Sequence, residues 1–220
     1  MTGVKAYKGV AMEGPIATWY TKNTGQDRSR FTETARRVAE RARPSSKILE
    51  VAPGPGYLAI EMAKRGFAVT ALDISHAFVR IARKNASSAG VTVDIQHGNA
   101  AQMPFADAVF DFVVCVAAFK NFRDPIGALN EMHRVLRSGG QASIFDLRKD
   151  ATLEEVDAEV RKMGLSVWNA QMTRWTFRFL LLKRAYTRGQ LEQMVAQSRF
   201  GHCEIARNGI GFELRLTKEC

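Results

Sequence analysis

Along this chain, short runs of β-branched and aliphatic residues alternate with stretches whose apolar positions recur every three or four residues. A hydrophobic period that switches between about 2 and about 3.6 marks strands alternating with helices. The pattern predicts strands over 47–52, 67–72, 91–96, 110–117 and 141–147, with helices between them over 58–65, 75–89 and 126–136. Ser75 is placed to cap the second of these helices and Pro125 to open the third, while Ser138-Gly139-Gly140 reads as that helix's glycine stop. Strands joined through helices pair in parallel with right-handed crossovers, and their ligand crevice opens at the carboxyl ends of the strands.

Beyond residue 147 the pattern changes. An acidic helix is predicted over 152–163, and Thr187 with Gln190 forms a capping-box pair that starts a helix ending near Ser198. Asn208-Gly209 between the runs 203–207 and 210–216 predicts an antiparallel hairpin. In the segment 167–184, Trp168, Met172, Trp175, Phe179 and Leu182 recur at helical spacing, with Arg174, Arg178, Lys183 and Arg184 among them. Such a stripe is expected as a core or lid face, one version of which walls an acceptor pocket; a helix lying on a membrane surface is the alternative.

Length, composition and charge narrow these possibilities. A chain of 220 residues has room for one domain with a lid. No window reaches the about 18 consecutive apolar residues of a membrane span, and the first twenty residues lack the apolar run of a signal peptide. The three cysteines, Cys115, Cys203 and Cys220, have no CxxC spacing, which argues against a disulfide framework and a structural zinc site; no metal and a reducing, cytoplasmic setting are expected. The net charge of +10 is unevenly spread: +6 over 1–48, +1 over 49–150, −4 over 151–160 and +7 over 161–188. Basic flanks around a neutral centre suit anionic partners as well as a merely solvated face.

The candidate chemistry lies in the neutral block. Ile48-Leu49-Glu50-Val51-Ala52-Pro53-Gly54-Pro55-Gly56 is an apolar strand entering a glycine turn, where the absence of a Cβ lets the backbone approach a ligand. Seventeen residues past Gly56, Asp73 ends the second strand, where a carboxylate can accept both hydroxyls of a ribose. Gly98-Asn99-Ala100 follows the third strand, with the Asn99 amide in reach of an adenine amine.

These three elements, together with Phe110-Asp111-Phe112-Val113-Val114-Cys115 and Glu131-Met132-His133-Arg134-Val135-Leu136-Arg137-Ser138-Gly139-Gly140, resemble the class I S-adenosylmethionine (SAM) dependent methyltransferases, in particular the ubiquinone and menaquinone C-methyltransferase superfamily. The resemblance covers about residues 47–150 and implies a Rossmann-like, seven-stranded, mostly parallel α/β sheet with a C-terminal antiparallel hairpin and a helical lid. The implied layout is an N-terminal lid or cap over 1–46, the SAM-binding core over 47–150, a helical lid over 151–186 and a terminal helix and hairpin over 187–220. It also implies that Glu50, Ala52, Gly54 and Gly56 hold the methionine part of SAM, that Asp73 holds the ribose and Ile74 the adenine, and that Asn99, Ala100 and Ala117 complete the cofactor site. Ala52 stands where the family commonly has glycine and Asn99 where it has aspartate.

Methyl transfer from a sulfonium needs chiefly alignment of acceptor, methyl and leaving sulfur, with a base only for acceptors such as a phenol or an activated carbon. Tyr20 in the N-terminal run and Lys120 and Asn121 at the strand-four exit are the acceptor-side candidates, Lys120 as a group to hold an acidic acceptor. The four histidines fall at positions that read as structural or solvated. The expected acceptor is a small molecule, anionic or aromatic, with nucleic acid and a transient membrane-surface contact as other partners. An RNA methyltransferase, a nicotinamide-dependent reductase suggested by the GxGxxA reading of Gly54 to Ala59, and a SAM-binding protein without transfer activity are the competing functions.

Overall fold

The computed structural model describes Lys8 and residues 12–25, 28–162, 167–177 and 181–219. Seven strands form one sheet: β1 (Lys47–Val51), β2 (Ala68–Asp73), β3 (Asp94–His97), β4 (Phe110–Val116), β5 (Leu136–Leu147), β6 (Glu204–Asn208) and β7 (Gly211–Thr217). Their order is β3-β2-β1-β4-β5-β7-β6, with β1 to β5 parallel and β7 antiparallel to both β5 and β6. The order reverses between β1 and β4, which opens a crevice at the carboxyl ends of those two strands.

Side chains alternate across the strands, so both faces bury apolar residues. On one face Ile48, Ala71, Phe112 and Val114 pack beneath α2 (Ser29–Ala39), α3 (Tyr57–Lys64) and α4 (His76–Ser88). On the other face Leu49, Val113, Ile144 and Leu214 pack beneath α5 (Pro125–Val135) and α9 (Arg188–Ala196). α2 is a helix that the pattern of apolar positions left unassigned: four of its eleven residues are charged, and only Ala35 and Val38 are buried. The remaining helices are α1 (Gly14–Thr24), which lies ahead of α2, and α6 (Leu153–Lys162), α7 (Val167–Thr176) and α8 (Leu182–Arg184) between β5 and α9. The expected caps are in place. Ser75 Oγ accepts from Phe78 N, and Thr187 and Gln190 exchange both capping-box bonds.

Three local expectations are corrected. Ser138-Gly139-Gly140 does not stop α5, which ends at Val135 and runs directly into β5. Pairing with β4 jumps from Phe110–Leu136 to Phe112–Gln141, so these residues bulge out of the strand; Gly139 takes φ +71°, and a Cβ on Gly140 would lie 2.8 Å from the Arg137 carbonyl. The hairpin turn is Gly209-Ile210 rather than Asn208-Gly209, because Asn208 still pairs with Gly211. That shift buries Ile210 against Val156, Val160 and Leu182. The stripe over 167–184 is likewise not one buried helix face: Trp168, Met172 and Trp175 are 76%, 52% and 52% exposed on α7, whereas Leu182 joins the cluster around α6. Phe179 and Arg178 lie outside the described residues, as do Met163 and Cys220.

Candidate active site

β1 leaves the sheet at Val51 into a turn in which Ala52, Gly54 and Gly56 all have left-handed backbone, with φ of +57°, +54° and +80°. Glycine adopts this conformation freely, while an L-residue is strained there by about 1 kcal/mol, which is the physical meaning of alanine at position 52. Gly56 is more tightly constrained. It begins α3, and a Cβ there would stand 2.9 Å from Ala82 Cβ on α4.

The turn is bound to the end of β2. Gly54 N donates to Asp73 Oδ2 at 3.0 Å, and Ser75 N donates to Asp73 Oδ1 at 2.8 Å. Gly98 N donates to the Asp73 carbonyl, bringing the β3 exit alongside. There the Asn99 side-chain oxygen accepts from Ala101 N at 3.0 Å, so it closes its own turn and keeps one lone pair for another donor. His97 Nε2 donates to the Ile74 carbonyl at 3.0 Å, and its ring stacks on His76.

Two carboxyls in this region are buried. Burial pushes the Glu50 carboxyl up to about 8, with the charge of Asp73 adding to the rise and the Ala59 amide opposing it. One oxygen of Glu50 is enclosed with no hydrogen-bond partner among the described residues. Burial also raises Asp73, to about 6, against the lowering effect of the Ser75 and Gly54 amides.

α1 spans the crevice above these groups. Its approach is anchored at the start of α4, where Ser75 Oγ donates to the Met12 carbonyl and Ala77 N donates to Glu13. Tyr57 Oη donates to the Thr21 carbonyl from below. Tyr20 packs edge-on to Phe78 at 5.8 Å, and a Cβ on Gly54 would lie 4.0 Å from its ring. Burial raises the Tyr20 phenol, Arg30 lowers it, and Asp146 and Asp73 raise it further, so its hydroxyl feels the carboxylates on both sides of the crevice.

On the β4 side Ala117 also has a left-handed φ of +57°, and its amide donates to the Phe145 carbonyl at 2.7 Å. Lys120 follows in a single turn of 3₁₀-helix. Its ammonium is buried and donates to Asp146 Oδ1 and to the Ala117 carbonyl, both at 2.7 Å, while its own amide donates to Asp146 Oδ2. Two of the three ammonium hydrogens are therefore engaged within the protein, and an acidic acceptor would share Lys120 with Asp146. Asp146 was not singled out from the sequence, although apolar-apolar-Asp ending a strand is the signal that had marked Asp73. The Asn121 carbonyl accepts from Lys8 N, and Lys8 Nζ donates to Tyr186 Oη at 3.1 Å, with the Tyr186 ring 5.9 Å from Phe119. The structure thus brings Asn99, Ala100, Asp73, Ile74, Glu50, Ala52, Gly54, Gly56, Ala117, Lys120 and Asn121 to one edge of the sheet. Tyr20 faces them from α1.

Comparison with known proteins bears on the fold and on part of the chain. Residues 49–144 match the family described as methyltransferase domain. Over 122 residues the chain is 35% identical to the demethylmenaquinone methyltransferase of Streptomyces avermitilis, covering 56% of this chain and 50% of that protein. It is 31% identical over 105 residues to the ubiquinone biosynthesis O-methyltransferase of Pseudomonas aeruginosa, covering 47% and 45%. The chain spans about half the length of the curated relatives it matches. A Methanococcus maripaludis structure described as a SAM-dependent methyltransferase superposes with a TM-score of 0.77 at 20% identity, covering 100% of this chain and 98% of that one. A SAM-dependent methyltransferase from Aquifex aeolicus gives 0.64 at 15%, covering 87% and 98%. The chain has the fold of the class I SAM-dependent methyltransferases. Within it, residues 49–144 are the stretch that matches the methyltransferase domain.

Proposed function

We propose that this protein transfers a methyl group from SAM to a small quinone-type acceptor, a quinol or related phenol. The observation that carries the reading is the set Glu50, Gly54 and Asp73 on adjacent strands at the sheet's reversal point, closed over by Tyr20. The residues present suit SAM. The unpartnered, buried Glu50 oxygen calls for a cationic donor, which the α-ammonium of the methionine part supplies. Asp73 uses one lone pair of each oxygen on backbone amides and keeps one on each for a ribose hydroxyl. Gly54, bare of a side chain beneath Tyr20, leaves the space a Cβ would fill.

SAM supplies an activated methyl on sulfur. The chain's own residues supply placement: α1 excludes water from the crevice, and Tyr20 offers an aromatic face for a sulfonium. Lys120, held by Asp146, keeps one N–H for an acceptor oxygen and favours that oxygen's anionic form. The quinone class of acceptor rests on the names of the relatives and on the half-buried Tyr186 ring, which packs on Phe119. The test is calorimetry with SAM, S-adenosylhomocysteine, NAD and NADP, followed by transfer of labelled methyl to a demethylated quinol. SAM binding and labelled quinol are the expected results; binding of NADP without SAM would overturn the reading.

A further inference from the structure

At the opposite edge of the sheet, near the amino ends of the parallel strands, lies a polar cavity of about 320 Å³. Its lining is Arg41, Gln141, His202, Cys203, Arg215 and Thr217, with Glu204 at the rim. Register explains the assembly. Gln141 of β5 pairs with Thr217 of β7, Ser143 with Arg215, and Arg215 with Glu204 of β6, so these side chains project from one face. Arg41, just past the end of α2, overhangs the same face and donates from Nη2 to the Gln141 side-chain oxygen at 3.0 Å.

The inner part of this cluster holds more guanidinium than carboxylate, while Glu204 and Glu219, which pairs with His202, are exposed on its outer side. Three guanidinium groups, Arg37, Arg41 and Arg215, converge on Glu213, which is 1% exposed. Glu213 accepts from all three and from Ser143 Oγ, two donors on each oxygen, so its acceptor capacity is full. Arg215 nevertheless holds a buried Nε with no partner among the described residues, and its nearest other carboxylate, exposed Glu204, is 4.0 Å away. Burial, together with the like charge of Arg215, holds the Arg41 guanidinium below its ordinary range against the raising effect of Glu213 and Glu204. Had the cluster only to fasten α2 to β7, Arg37 and Arg41 on Glu213 would suffice.

We propose that this cavity binds a small multivalent oxyanion, a phosphate-type group carried on a small molecule. Arg215 and Arg41 neutralise it, and Thr217 and His202 donate to its remaining oxygens. The volume is at the lower end of the range for small-molecule sites, with space for a phosphate and a short organic remainder. A nucleic-acid backbone is disfavoured because the donors face into a concavity rather than along a surface stripe.

Phosphate binding itself gives a readout independent of methyl transfer. The intact protein is titrated with inorganic phosphate at constant ionic strength by calorimetry. Saturable binding is expected, with affinity reduced about tenfold in Arg215→Gln. Arg43→Gln, outside the cavity, should bind phosphate like the unaltered protein. SAM affinity measured on the same samples should not change, which separates this site from the crevice. A signal that chloride reproduces at the same ionic strength, or that is equal in Arg215→Gln, would refute the site. A short RNA that binds where phosphate does not would assign the face to nucleic acid instead and equally overturn the proposal.

Discussion

If Glu50 holds the SAM ammonium as proposed, its carboxyl should make SAM binding a proton-coupled event. With a pKa of about 8 in the buried site, about nine-tenths of the protein carries a proton on Glu50 at pH 7. An ammonium placed against its unpartnered oxygen favours the carboxylate, so binding near neutral pH should release close to one proton. If pairing brings the bound-state pKa well below 6.5, the dissociation constant falls about fifteenfold from pH 6.5 to pH 8. Asp73, with its pKa of about 6, has largely ionised above that lower limit and adds little in this window. Calorimetry in two buffers of different ionisation enthalpy counts the proton directly, and a pH series gives the slope. Glu50→Gln should bind SAM with no proton release and a flat pH dependence. A buffer-independent enthalpy together with a pH-independent affinity in the unaltered protein would refute the assignment of Glu50 to the ammonium.

Glu50 also sets a pH dependence of stability without ligand. Its folded pKa is raised from 4.5 to about 8, so the stabilisation from its bound proton is complete below pH 4.5 and is lost as pH climbs through 8. At 1.36 kcal/mol per pH unit this is about 5 kcal/mol, and urea midpoints of Glu50→Gln should lack this loss. Asp73→Asn removes the charge and turns one of the two oxygens that accept from Gly54 N and Ser75 N into a donor, and should weaken SAM binding by about 1.5 to 3 kcal/mol by calorimetry; an unchanged constant would place the ribose elsewhere. Gly56→Ala forces a Cβ to 2.9 Å from Ala82 at φ +80° and should destabilise folding by about 2 kcal/mol or more in urea titration. Lys120→Met leaves Asp146 charged and buried, and a loss of about 3 kcal/mol is expected, whereas no loss would show that water reaches the pair.

The sheet and the candidate residues along its carboxyl edge were legible from the chain because both rest on local rules. Period-2 runs make strands, intervening helices make them parallel, and glycines and an aspartate at strand ends mark where backbone must approach a ligand. On these grounds Gly54, Gly56 and Asp73 stood out, whereas Glu50 entered through the resemblance to the methyltransferases. What the sequence alone did not determine depends on contacts between residues distant along the chain. Asp146 and Lys120 are partners only because β4 and β5 lie side by side, and the pairing decides how much of the lysine is left for an acceptor. The hairpin turn moved by one residue because Ile210 finds an apolar cluster around α6, a preference that outweighs the local signal of Asn208-Gly209. The Ser138-Gly139-Gly140 stretch became a bulge in β5 through its pairing with β4, although its composition suits a helix end equally well. Tyr20 reaches Gly54, and Arg37 and Arg41 reach Glu213, only through the docking of α1 and α2. Local propensity specifies an element, but burial and charge pairing between elements are decided only when the elements meet.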